Sequence, residues 1–192
     1  NSQSQLVVFG GTLAGGTLAG GTRSGSTWIW KPSTEQWSEV ASGPDAWSNT
    51  SMTYDPMNQH ILLAGGADGD TYYGDAWIWK TDSWALQQGV ANLFFPTAYL
   101  SSSYHAEAQK VLFYGGYINN EGNDRDELYG WTPDIGFARY TLEPGFELGR
   151  FEEGFRRWNY EAQIIYQAQT AEHLLFGGYY LFPVGRRIWS LE

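Results

Sequence analysis

Cysteine is absent from all 192 residues. Its absence removes disulfides, thiolate nucleophiles and Cys-based zinc sites, and it leaves the redox compartment open. Charge is sparse and one-sided: 21 acidic residues stand against 11 basic ones, for a formal net charge of −10. That balance excludes a nucleic-acid partner, whose phosphates need basic patches. It also disfavours anionic membrane surfaces. No apolar run reaches the roughly 18 residues of a spanning helix, so no membrane insertion is expected. Residues Asn1 to Gln5 lack the basic and apolar regions of a signal peptide. Asn1 rather than Met opens the sequence, which leads us to expect a processed or trimmed product.

Aromatic residues and glycine are abundant. Ten Trp, thirteen Tyr and ten Phe accompany 24 Gly, a composition that favours an all-β chain with many tight turns. Hydrophobic residues reach 42%, enough for a sizeable core and too many for a disordered chain.

The chain repeats itself. Four apolar runs end in a Gly pair: Leu6–Phe9 before Gly10-Gly11, Ile61–Ala64 before Gly65-Gly66, Val111–Tyr114 before Gly115-Gly116, and Leu174–Phe176 before Gly177-Gly178. Short continuous apolar runs read as strands covered on both faces. A Gly pair lets the chain turn where a Cβ would strike a neighbouring sheet. Eleven residues before the last three pairs stand Tyr54, Tyr104 and Tyr166, each closing a small or apolar stretch read as an innermost strand. Downstream come the aromatic strands Thr27–Trp30, Ala76–Trp79, Leu128–Trp131 and Ile188–Leu191, and then Trp37, Trp84 and Tyr140 as openers of a rim strand. The Gly pairs are spaced by 55, 50 and 62 residues, so one unit is a four-stranded sheet.

Four apolar residues, a Gly pair, an aromatic and a following Trp (Trp77 and Trp84 in the second unit) resemble the kelch repeat. The resemblance covers nearly the whole chain. It implies an all-β, kelch-type β-propeller of about four blades, near 1–46, 47–96, 97–157 and 158–192. The strands Thr27–Trp30 and Ala76–Trp79 look most like those of bacterial surface and secreted kelch proteins, which implies an extracellular or cell-surface location. Kelch rings generally have six or seven blades, and this chain enters at a second strand and leaves after a third. A longer chain or another subunit completing the propeller is therefore expected, because soluble proteins avoid open sheet edges.

Function is sought in the loops, since the sheets are occupied with packing. Gly11 to Gly25 carries a tandem Gly-Thr-Leu-Ala-Gly unit, read as a flexible or stacked loop. Asp68 and Asp70 in the second loop, and Asp124 and Asp126 in the third, are the candidates for Ca²⁺; the expectation is solvated loops and no metal. Tyr72 and Tyr73 in the second loop, and Tyr179, Tyr180, Phe182, Arg186 and Arg187 in the fourth, have the composition of interface anchors. Phe151, Phe155 and Trp158 fall at i, i+4 and i+7, the spacing of a short helix presenting one aromatic stripe. Asn49-Thr50-Ser51 is a glycosylation sequon.

His60, His105 and His173 lie at turns of separate repeats, read as surface residues. Kelch enzymes include galactose oxidase-like copper proteins and sialic acid epimerases, but the oxidase cofactor needs a Cys joined to Tyr. The expected function is a non-catalytic binding or assembly module, without cofactor, presenting variable loops to a protein or glycan. The alternatives are a fragment of a glycan-active enzyme and a purely structural subunit.

Overall fold

The computed structural model describes residues 5–13, 22–45, 47–88, 96–118, 123–124, 128–140, 158–167, 169, 172–179 and 189–191. These residues form antiparallel β-sheets, with no helix among them. Sheet one contains β1 (Leu6–Phe9), β2 (Ser26–Lys31) and β3 (Gln36–Ser42) in that order. Sheet two contains β4 (Ser51–Asp55), β5 (His60–Ala64), β8 (Ala76–Lys80) and β9 (Ser83–Leu86), with the small hairpin β6 (Ala67–Asp68) and β7 (Thr71–Tyr72) between β5 and β8. Sheet three repeats the plan: β10 (Ser101–His105), β11 (Lys110–Tyr114), β14 (Leu128–Thr132) and β15 (Gly136–Tyr140), around the hairpin β12 (Tyr117–Ile118) and β13 (Asn123–Asp124). Sheet four is β16 (Trp158–Gln167), β17 (Glu172–Tyr179) and β18 (Trp189–Leu191).

Sheets one and two, and sheets two and three, stack face to face. Val7 and Ile29 of sheet one pack against Ile61, Trp79 and Trp84 of sheet two, while Phe9 meets Leu63, Trp77 and Trp84. Leu62, Ala64, Ala76 and Ile78, on the opposite face of sheet two, meet Val111, Phe113, Tyr129, Trp131 and Phe137 of sheet three. Strand alternation explains the division, because neighbouring residues point to opposite faces. The strand β11 is covered on both faces, which is why it reads as a continuous apolar run.

The first strands lie side by side, and small hydroxyl residues let them approach. Ser51 Oγ and Thr53 Oγ1 are 2.6 and 2.5 Å from Ser102 Oγ. The Ile164 N–H in β16 donates to Ser101 Oγ at 2.7 Å. Between sheets one and two, the Trp84 indole N–H donates to the buried Thr27 hydroxyl at 2.8 Å.

The Gly pairs clamp the connections between sheets. Gly65 has φ of +66°, and a Cβ there would collide with the Thr97 carbonyl and come within 2.9 Å of Leu100 Cδ1. That same carbonyl accepts from the Gly66 N–H at 2.9 Å. What crowds Gly65 is thus the backbone of the connection, together with Leu100.

Three expectations change. The residue matching Trp84 in sheet three is Phe137, which pairs with Trp131 as Trp84 pairs with Trp79; Tyr140 closes β15. Trp158 opens the strand β16 opposite Tyr179, so neither the helical stripe at Trp158 nor the loop placement of Tyr179 holds. His60 is buried: its ring meets Trp131 edge-on at 5.7 Å, and Nε2 is 3.7 Å from Asp55 Oδ2. Asp55 also shapes the turn, accepting from the N–H groups of Met57 and Asn58 at 3.0 and 3.1 Å. Burial lowers the His60 pKa, Asp55 opposes the shift and Lys80 reinforces it.

Candidate functional site

The second strand of each repeat runs from the Asp55-type turn to the Gly pair, so the loops after the Gly pairs lie at the opposite end of the sheets. There they meet the connections between sheets. The connection residue Ser48 bridges to Ala67 of β6, and Ala98 bridges in the same way to Tyr117 of β12. Each connection thereby adds a short third strand beside a hairpin. These loops are pinned by backbone hydrogen bonds.

Side chains add to this. Arg23, bridged to Thr12 through the backbone, donates from Nε to Ser48 Oγ at 3.0 Å and from Nη1 to Asp68 Oδ1 at 3.1 Å. An exposed pair of this kind contributes about 0–1 kcal/mol, so its consequence is chiefly geometric. It ties the loop of sheet one to the hairpin of sheet two.

Tyrosines surround the junction between the hairpins. Tyr73 stacks on the buried Trp47 at 4.2 Å, with 19° between the ring planes. The adjacent Tyr72 points elsewhere. Its ring lies 6.1 Å from that of Tyr117, tilted by 53°. Partial burial, then the Tyr117 and Tyr99 phenols, then Asp70, push the Tyr72 phenol above its ordinary pKa. A neutral phenol therefore persists there well above neutral pH. Asp68 and Asp70 stand exposed on the hairpin beside it.

Tyr99 sits in an uncommon conformation. Its φ is +60°, and its N–H donates at 2.9 Å to the carbonyl of Asn49, whose φ is +59°. The two residues hold equivalent places in successive connections. Asn enters the left-handed region readily, whereas a bulky side chain there is an outlier costing about 1–3 kcal/mol. Composition and loop position do not single out Tyr99 or Tyr117. The available signal is the alignment of Asn49 with Tyr99, which puts an aromatic where a turn former belongs.

Of the proposed anchors, the structure brings Tyr72 into this cluster and Tyr73 beside it. Phe151, Phe155, Tyr180, Phe182, Arg186 and Arg187 lie outside the described residues. Of the acidic candidates, Asp68 belongs to β6 and is engaged by Arg23, Asp70 lies at the hairpin tip, Asp124 belongs to β13, and Asp126 is outside the described residues. Among the described residues no three acidic or His side chains gather as a metal site. No helix among them is long and apolar enough to cross a membrane.

Tyr72 and Tyr117 are neighbouring phenols, the Tyr99 phenol bears on Tyr72 electrostatically, and the Asp68 and Asp70 carboxylates stand exposed beside them. Such a surface stacks on apolar ring faces and hydrogen-bonds hydroxyl or amide groups, and it repels phosphate and sulfate. Compared with protein-family models and with curated protein sequences, the chain matches none.

Proposed function

We propose that the sheets are consecutive blades of a kelch-type propeller segment acting as a non-catalytic binding and assembly module, outside the cell or at its surface. The fold reading is supported by first strands that adjoin across sheets and by faces that stack in sequence order. It is supported further by Gly pairs that receive the connections in the same way in two successive repeats: Gly11 N–H donates to Trp47 O, and Gly66 N–H to Thr97 O.

The observation that carries the binding reading is the junction of Tyr72, Tyr99 and Tyr117, drawn from two hairpins and a connection. Its ligand is an uncharged group of a protein or glycan partner. Binding is favoured over catalysis because Asp68 is held by Arg23 and Asp70 is open to water, away from any second carboxylate cluster among the described residues. Saturation-transfer NMR against a panel of neutral oligosaccharides and uncharged peptides tests this. Saturable transfer to at least one ligand class is expected, with at least tenfold weaker binding in Tyr72→Ala. No transfer to any member, or equal transfer in the variant, contradicts it.

A further inference from the structure

Sheet one buries only one of its faces. Val7, Phe9, Thr27 and Ile29 are buried, and the first, second and fourth pack on sheet two. On the other face Leu6, Val8, Trp28 and Trp37 are 41–54% exposed. Strand register shows that these four residues belong together: Val8 pairs with Trp28, Leu6 with Trp30, and Trp30 with Trp37. A contiguous aromatic face of this kind is uncommon on an unpartnered surface.

The internal repeat shows what such a face is built to meet. Counting from the Gly pairs, Leu6, Val8, Trp28 and Trp37 correspond to Ile61, Leu63, Trp77 and Trp84 in sheet two, and to Val111, Phe113, Tyr129 and Phe137 in sheet three. All eight counterparts are buried or half-buried. In each case the cover is the opposite face of the preceding sheet: Val7, Phe9 and Ile29 over sheet two, and Leu62, Ala64, Ala76 and Ile78 over sheet three. The same sheet-on-sheet interface thus occurs twice, each time laying the opposite face of one sheet over an aromatic-bearing face of the next.

This chain carries that covering pattern once more. In sheet four Leu174 pairs with Ser190, as Leu62 pairs with Ile78 and Leu112 with Gly130. Leu174, Phe176 and Ser190 therefore occupy the register positions of a covering face. Sheet four of the same molecule leaves Leu6, Val8, Trp28 and Trp37 exposed.

We infer that sheet one docks head to tail onto sheet four of a second copy of this chain, reproducing the sheet-on-sheet interface already present twice within it. The inference deepens the assembly half of the function proposed above and rests on the stacked sheets, independently of the tyrosine cluster. Head-to-tail contacts either close into a ring or run on as a filament. Two copies of four sheets close a ring of about eight, the upper end of the usual propeller range.

The test is sedimentation equilibrium of the wild-type chain, Trp28→Glu and Trp37→Glu, at 1–50 μM (about tenfold below to fivefold above a typical working concentration of ~10 μM). The expected result is a wild-type particle of at least twice the chain mass of 21.6 kDa. Each Glu variant should weaken association about 100-fold or more, since a carboxylate would be buried unpaired. Ser190→Arg, on the other side of the interface, should do the same. Trp28 and Trp37 are exposed in one copy, so the dissociated variants should keep wild-type far-UV circular dichroism. Mixing Trp37→Glu with Ser190→Arg should restore one interface and a heterodimer, which a self-complementary contact cannot do. A wild-type monomer throughout, or an oligomer indifferent to all three substitutions, overturns the inference. Ligand binding at the loop face is measured separately, by oligosaccharide and peptide binding to Tyr72→Ala, and does not depend on either result.

Discussion

Replacing Gly65 and Gly69 in turn separates two effects that usually come together. Both residues have a left-handed backbone, with φ of +66° and +60°. A Cβ at Gly69 meets nothing within 4 Å, whereas at Gly65 it meets the Thr97 carbonyl and Leu100. The left-handed conformation costs an L-residue about 1–2 kcal/mol. Loss of glycine's freedom in the unfolded chain returns about 0.4–1 kcal/mol. Gly69→Ala should therefore destabilise by about 0–1.5 kcal/mol. Gly65→Ala carries the same terms and must also move the Thr97 carbonyl off the Gly66 N–H. A buried backbone hydrogen bond left unmade adds about 1–3 kcal/mol. For a chain of this size the two variants should melt roughly 2–12 °C apart, Gly65→Ala lower. Scanning calorimetry at one protein concentration measures the difference. Equal melting would refute the claim that the Gly pair exists to admit the connecting backbone.

Thr27→Val keeps the shape of the side chain but leaves the Trp84 indole N–H without its acceptor, and should cost about 1–3 kcal/mol by urea titration. Buried His60 has a lowered pKa, so the unfolded chain takes up its proton first; the stability from neutral His60 is complete above about pH 6.5 and is lost as pH falls below it. His60→Gln should accordingly lose less stability than wild type between pH 7.5 and 5.5 (about a unit either side of the free imidazole value), and parallel curves would count against the buried neutral ring. Tyr99→Asn relieves the left-handed strain and should raise stability by about 1 kcal/mol while weakening ligand binding, whereas a destabilised variant would show that Tyr99 is retained for packing.

Much of the sheet architecture is legible in the sequence because it is local. Ser51–Tyr54 and Ser101–Tyr104 read as inner strands, and the structure shows why small residues stand there: Ser51, Thr53 and Ser102 hydrogen-bond across two sheets. The aromatic strands announce themselves in the same way. The rim residue of sheet three escapes a reading by spacing because the hairpin Pro133–Ile135 changes the interval, and it is cross-strand pairing that selects Phe137. Helical spacing at Phe151, Phe155 and Trp158 loses its meaning where Trp158 enters a strand that shifts register before Ala162. His60 looks superficial in a polar turn, but the ring covering it belongs to Trp131, 71 positions later in the chain. The tyrosine cluster is half legible. Tyr72 stands out by composition, while Tyr99 and Tyr117 join it only through the pairing of connections with hairpins.

The proposed fan of sheets, opening outward from adjoining first strands, is directly measurable because the chain has no native cysteine. Ser51→Cys with Ser102→Cys places one thiol on β4 and one on β10, where the native hydroxyl oxygens are 2.6 Å apart. Ala85→Cys with Arg139→Cys places the pair on the outer strands β9 and β15, at exposed positions on the facing sides of the same two sheets. Under mild oxidation, mass spectrometry should find the inner pair joined within the chain and the outer pair still reduced. An inner pair that stays reduced, or an outer pair that joins as readily, would contradict the radial stacking of the sheets.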